Sequence, residues 1–138
     1  MNAASPPPAR QTPTVEVSWG ELFDKLTILE IKERRLSSPA AVANVRRELA
    51  ALRAAVAGVE PAAEIAALKA KLTEVNEKLW EIEDNIRAKE AARTFDQGFI
   101  ELARSVYFSN DKRAELKREI NALLKSVFVE EKQYTSYG

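Results

Sequence analysis

Apolar residues recur at alternating spacings of three and four along Ile65, Leu68, Leu72, Val75, Leu79, Ile82 and Ile86. The pattern resumes at Phe99, Leu102 and Val106, and again at Leu116, Ile120, Leu123 and Val127. This is the heptad pattern of helices that pack side by side along their length. The first run predicts a helix from Pro61 to about Arg93, which at 1.5 Å per residue is about 50 Å long. The second predicts a helix from near Asp96 to about Glu131, continuous through the helix-start triplet Ser109-Asn110-Asp111 because the apolar phase survives it. The short connection Thr94-Phe95-Asp96-Gln97-Gly98 makes the two helices antiparallel neighbours. Folding about it pairs Ile86 with Phe99, Leu79 with Val106, Leu72 with Arg113 and Ile65 with Ile120, without a slip.

Two shorter helices precede this hairpin. Ser18-Trp19-Gly20-Glu21 fits a capping box and starts a helix that runs to about Arg35. Its apolar residues occupy more than one face: Leu22, Leu26, Leu29 and Leu36 share one side, Phe23 flanks it, and Ile28 and Ile31 lie away from it. Such a helix packs against more than one neighbour and should be the most enclosed in the protein. Ser38-Pro39 starts the second helix, with Ser as N-cap and Pro at the first helical position. It carries Val42, Val45, Leu49, Leu52 and Val56, and Gly58 ends it.

The expected fold is therefore all-α: four antiparallel helices, the last two forming a long coiled-coil-like hairpin. Residues 1–14, with Pro6-Pro7-Pro8 and Thr12-Pro13-Thr14, read as a disordered tail. Val15, Val17 and Trp19 alternate as a short extended segment would. Residues 15–131 form the single domain, and residues 132–138 a C-terminal tail whose aromatic residues could dock on the bundle or on a partner.

The second heptad run is interrupted. Its core positions between Val106 and Leu116 are Ser109 and Arg113, and a buried guanidinium needs a charged partner. On the first helix Glu33 projects between Leu22 and Leu26, Glu30 lies beside Phe23, and Lys25 borders the other edge. The third helix adds a stripe of Asn76, Trp80, Glu83 and Arg87, and the fourth adds Tyr107, Asn110 and Asp111. The pairing register brings these groups together at mid-height, centred on Arg113. They are the candidate ligand-binding residues, and the commonest reading of such a cluster is a register device or an ordinary buried salt bridge. Glu30, Glu83, Asp84 and Asp111 are the candidate ligands of a divalent cation held through oxygen. The basic run Lys112, Arg113, Lys117 and Arg118 is interleaved with Glu115 and Glu119 and reads as ion-paired helix surface.

Composition narrows the chemistry. Lys plus Arg equals Asp plus Glu at 21 each, so the 138-residue chain carries no formal net charge. Binding to duplex nucleic acid through bulk charge is not expected. Cysteine and histidine are absent, which removes thiol chemistry, the commonest general base and the commonest zinc ligand. No apolar run reaches the roughly 20 residues of a membrane span, and the N-terminus lacks the pattern of a secretory signal. The chain reads as cytoplasmic, with no membrane insertion.

Three segments carry a family likeness. They are residues 18–32, from Ser18-Trp19-Gly20-Glu21 through Asp24-Lys25 to Lys32; residues 79–87, Leu79-Trp80-Glu81-Ile82-Glu83-Asp84-Asn85-Ile86-Arg87; and residues 99–121, including Ala103-Arg104-Ser105-Val106-Tyr107 and Asn110-Asp111-Lys112-Arg113. Over about residues 15–134 the chain resembles a bacterial family of small helical proteins catalogued as a domain of unknown function. The resemblance implies no activity, and carries only a loose association with surface-polysaccharide proteins. Two characterised classes offer analogies of fold and charge. Glu30-Ile31-Lys32-Glu33 and Glu81-Ile82-Glu83-Asp84 have the acidic spacings with which all-α nucleotide pyrophosphatases bind magnesium. Lys25, Arg87 and Arg113 could clamp a dicarboxylate as the small helical chorismate mutases do, by electrostatic stabilisation.

Two functions follow. The leading one is a non-enzymatic binding or assembly module that self-associates, because long hairpins expose apolar edges that a second copy can cover and dimers are the commonest oligomer. It needs no cofactor and would take a protein partner or a small anionic ligand. The alternative is a small enzyme acting on a phosphorylated or carboxylated metabolite, with Mg²⁺ at the carboxylates.

Overall fold

A computed structural model describes residues 7–137, so the first part of the expected N-terminal tail lies outside the described residues. It contains four helices, α1 (Trp19–Arg35), α2 (Pro39–Val56), α3 (Ala63–Ala91) and α4 (Gln97–Leu123), and no strand among the described residues. Residues 7–17 have no regular structure and are exposed, including Val15 and Val17.

The helix starts follow local chemistry. The Ser18 hydroxyl accepts the Glu21 backbone N–H at 3.1 Å, and the Ser38 hydroxyl accepts that of Ala41 with Pro39 in the first turn. Asp96 caps α4 by accepting the Phe99 N–H at 3.0 Å. The second half of the capping box is absent at α1, because the Glu21 carboxylate instead takes Lys117 at 2.7 Å. α3 begins at Ala63 without a side-chain cap, two residues after Pro61.

Both long helices end in the same way. Arg93 and Lys125 each have a φ of 54°, the left-handed region usually given to glycine. Around them the Thr94 N–H reaches Lys89 O at 2.9 Å and the Arg93 N–H reaches Glu90 O at 3.0 Å. The Ser126 N–H reaches Asn121 O at 2.8 Å and the Lys125 N–H reaches Ala122 O at 3.3 Å. These are Schellman closures. The second one corrects the expected run of α4 to Glu131: the helix stops at Leu123, and Val127 is 92% exposed rather than part of the seam. Between Gln97 and Leu123 the helix is continuous through Ser109-Asn110-Asp111, as the apolar phase predicted.

α1 is the hub. It packs against α2, α3 and α4, whereas α2 packs against α1 alone among the helices. α3 and α4 make the most extensive contact in the molecule. Lys89 reaches Asp96 across their connection, and lower down Asn76 of α3 and Arg113 of α4 meet on one carboxylate of α1, that of Asp24. One core joins Phe23, Leu26 and Leu29 of α1 to Val45, Leu49 and Val56 of α2, Ile65 and Leu72 of α3, and Leu116 and Ile120 of α4.

α1 is too short to cover the whole hairpin. Seventeen residues against 29 and 27 correspond to about 26 Å against about 44 and 40 Å. Beyond Asn76 and Ser109, Ile82 is the one buried position of the seam. Leu79, Ile86, Phe99, Leu102 and Val106 are half-buried.

Residues 124–137 form no helix and lie back along α4. Ser126 and Glu130 bond to Asn121, and Lys132 and Tyr137 bond to Asp111. The Tyr137 ring packs on Tyr107 and Phe108, so this C-terminal aromatic residue docks on the chain itself, whereas Tyr134 is exposed.

Candidate functional site

Gly20, Asp24, Thr27 and Ile31 recur on α1 at spacings of four, three and four, a stripe on which all four residues are buried. Gly20 allows the backbones of α1 and α4 to meet: a Cβ there would lie 2.5 Å from the Lys117 carbonyl oxygen and 2.9 Å from Asn121 Oδ1. One turn on, the Asp24 side chain is 2% exposed and receives two hydrogen bonds and an ion pair. Arg113 Nε donates to Oδ2 at 3.0 Å with Nη2 2.9 Å from the same oxygen, and Asn76 Nδ2 donates to Oδ1 at 2.9 Å. Asn76 Nδ2 also reaches Thr27 Oγ1 at 2.9 Å, and the Thr27 hydroxyl donates to the Asp24 carbonyl at 2.8 Å. Arg113 Nη1 contacts Asn110 Oδ1 at 3.4 Å.

The network continues to the N-terminus of α1. Lys117 stands 2.7 Å from Glu21, 3.6 Å from Glu130 and 3.9 Å from Asp24. The first three amides of α1 all find partners: Trp19 N–H donates to Ser126 Oγ at 2.9 Å, Gly20 N–H to Asn121 Oδ1 at 2.6 Å, and Glu21 N–H to Ser18 Oγ. Ser18 Oγ donates to Glu130 at 2.6 Å, and Asn121 Nδ2 donates to the same carboxylate at 2.8 Å. Burial alone would raise the Glu130 carboxyl, but the bonds from Ser18 and Asn121 and the nearby Lys117 hold it below the usual range. Among the described residues, no buried side-chain nitrogen or oxygen lacks a partner.

Of the sequence-predicted site residues, the structure brings Asn76, Asn110 and Arg113 together. It places the others elsewhere. Glu30 and Glu33 are not the partners of Arg113. The face of α1 that carries Leu26 and Leu29 is turned toward α2 and the start of α3, so Glu33 meets Arg46 and Arg53, and Glu30 meets Arg53 and Lys69. Lys25 pairs with Glu48 of α2 at 2.6 Å. Trp80 lies under the Arg35 guanidinium, and Glu83 pairs with Arg87 on the uncovered part of α3. Asp111 faces the C-terminal segment, where Lys132 and Tyr137 hold its carboxyl below the ordinary range. Asp84 is exposed, and Glu30, Glu83, Asp84 and Asp111 do not assemble. Among the described residues no group of three or more acidic side chains could hold a metal ion.

The carboxylate the sequence reading missed is Asp24, and with it Lys117, Asn121 and Glu130. Asp24 belongs to the second stripe of α1, whose other members are a glycine, a threonine and one isoleucine. A search for acids along the leucine face passes over it; the recurrence of Gly20, Asp24, Thr27 and Ile31 at helical spacing was the available signal.

Between α4 and the C-terminal segment lies an open groove of about 1500 Å³, lined by Tyr107, Phe108, Arg113, Lys117, Lys132 and Tyr137 among others. Arg113, Lys117 and Lys132 are each already held by a carboxylate. No described helix is long and apolar enough to cross a membrane.

No curated protein and no solved structure matches this chain. A family model does, over residues 13–137, and the chain belongs to that family, DUF6165, a family of unknown function.

Proposed function

We propose that this protein is a non-enzymatic helical assembly module that self-associates, with the Asp24–Arg113 cluster fixing α1 in register on the α3–α4 hairpin. The observation that carries the reading is the closure of the cluster. Asp24, Asn76, Thr27 and Arg113 satisfy one another, and Asp24 is shut away from water. A site awaiting a ligand presents free polar groups to an opening; here Arg113, 31% exposed at the edge of the groove, is engaged by the enclosed Asp24, the arrangement by which buried polar residues specify register. The half-buried distal seam supplies the second part of the reading, because a heptad surface left open on a hairpin is the surface that a dimer covers.

The alternative, an enzyme on an anionic metabolite, would use the groove beside Arg113 and Lys117. Binding there would have to compete with Asp24, Glu21 and Glu130 for those cations. The dispersal of the acidic candidates also favours the metal-free reading.

Sedimentation velocity across the micromolar range, combined with a thermal-shift screen, tests the proposal. The screen takes nucleotides, sugar nucleotides, carboxylic-acid metabolites and divalent metals, with Arg113→Leu alongside. The expected result is concentration-dependent association and no class-specific shift. A monomer at every concentration, with a selective shift that Arg113→Leu abolishes, would replace this reading with the enzymatic one.

A further inference from the structure

The turn that ends α4 is made by a residue unsuited to it. Lys125 takes a φ of 54°, a conformation that is unfavourable for an L residue and is usually left to glycine. No glycine or proline stands between Leu124 and Tyr137, and the apolar phase of Leu116, Ile120 and Leu123 runs on through the turn to Val127. The local sequence therefore favours a chain that continues outward, whereas the closed turn folds it back along α4. Folding back leaves Leu123 41%, Val127 92% and Phe128 48% exposed around the turn.

What holds the segment back is its seat. Ser126 Oγ accepts the Trp19 N–H at 2.9 Å, Ser18 Oγ and Asn121 Nδ2 donate to Glu130 at 2.6 and 2.8 Å, and Lys132 Nζ donates to Asp111 at 2.6 Å. The Tyr137 ring lies on Tyr107 and Phe108. Past Ser126, no backbone–backbone hydrogen bond ties the segment to the helices among the described residues. The seat recognises the segment by its side chains, and the same segment of another copy satisfies it equally. A strained short hinge, followed by a segment whose seat every copy carries, is the condition for exchange between copies.

We infer that residues 126–137 are an exchangeable arm: in the self-associated protein each arm opens at Lys125 and seats on α1 and α4 of a second copy. There the partner's Glu130 receives Ser18 and Asn121, and the partner's Lys132 meets Asp111. Opening relieves the left-handed lysine in both copies. The two hinges meet at the two-fold axis, which brings together the Leu123, Val127 and Phe128 side chains that the closed turn leaves exposed. The inference rests on the self-association proposed above and assigns its main contact to the arm.

A charge swap across the Lys132–Asp111 pair tests it by sedimentation velocity. Both side chains are partly exposed, so the fold should survive, with circular dichroism as the check. Asp111→Lys gives a copy with a lysine in both seat and arm, and Lys132→Asp gives one with an acid in both. Neither arm matches its own seat, so only a heterodimer with exchanged arms makes both pairs. An equimolar mixture should therefore associate at least about tenfold more tightly than either variant alone, and more tightly than wild type. Lys125→Gly relaxes the closed turn and should weaken wild-type association severalfold. Lys125→Pro, with φ fixed near about −65°, cannot make that turn and should tighten it. If wild type associates but the mixture gains nothing over its separate components, the arm is not exchanged and self-association stands through another surface. If Lys125→Pro associates no better than wild type, the hinge is wrong and the inference fails. If wild type is monomeric throughout, both the exchange and the reading beneath it fall.

Discussion

The two halves of the α3–α4 hairpin are written in the same heptad pattern and end in different environments. In the lower half Leu72, Leu116 and Ile120 are essentially inaccessible, and the polar interruptions Asn76 and Arg113 close on Asp24. In the upper half Ile82 alone of the seam is buried, and Leu79, Ile86, Phe99, Leu102 and Val106 are half-buried. The difference is α1. A heptad seam specifies that two helices pack, but the third wall of the core comes from whatever lies over the seam. That wall reaches as far as α1 does, about 26 Å along a hairpin of about 40 Å.

The sharpest way to break the comparison is to truncate one leucine in each half. Leu72→Ala, at a fully buried site, should cost about 3–4 kcal/mol in chemical denaturation, whereas Leu79→Ala in the dilute monomer should cost about 1–2 kcal/mol. Equal losses would mean that the upper seam is as enclosed as the lower. Next in size is Gly20→Ala. The added Cβ meets the Lys117 carbonyl and Asn121 Oδ1, so α1 must lift from α4 at a loss of about 2–3 kcal/mol. A neutral or stabilising result would show that the two helices do not approach so closely.

Acid should loosen the covered half through its C-terminal clasp. Glu130 and Asp111, the carboxyls of that clasp, both have folded-state pKa values below their ordinary ones. Depressed carboxyls contribute stability that is complete above their unfolded pKa values and is lost as pH falls through the folded ones. The decline should therefore begin below about pH 4–5. Glu130→Gln should reduce the slope of that decline in a pH series of melting temperatures. The smallest expected effect is a gain: Lys125→Gly removes a non-glycine residue from the left-handed closure of α4 and should stabilise by about 0.5–1 kcal/mol.

Much of this fold was legible in the sequence. Ser18, Ser38-Pro39 and the heptad runs placed all four helices, and the apolar phase carried α4 through Ser109-Asn110-Asp111. The end of α4 was not legible, because its stop signal is a lysine in a conformation that sequence rules reserve for glycine. The apolar phase ran on to Val127 without structural meaning. Arg113 announced itself as a charge in an apolar row. Its partner did not, since Asp24 lies on a stripe built of small and polar residues, which is buried because Gly20 brings α4 close. Glu30 and Glu33 looked suitable beside the leucines, but that face of α1 belongs to α2. Which side of a two-faced helix meets which neighbour is decided by the assembled packing and not by either stripe alone.

The most direct test of the central claim is a thermodynamic cycle between Asp24 and Arg113, measured by denaturant unfolding. Arg113→Leu alone leaves a buried carboxylate without its main cation and should cost about 3 kcal/mol, moderated by Lys117 nearby. Asp24→Asn combined with Arg113→Leu keeps an acceptor for Asn76, removes both charges, and should recover most of that loss while self-association persists. A double variant no more stable than Arg113→Leu would contradict the account of the pair as a register lock.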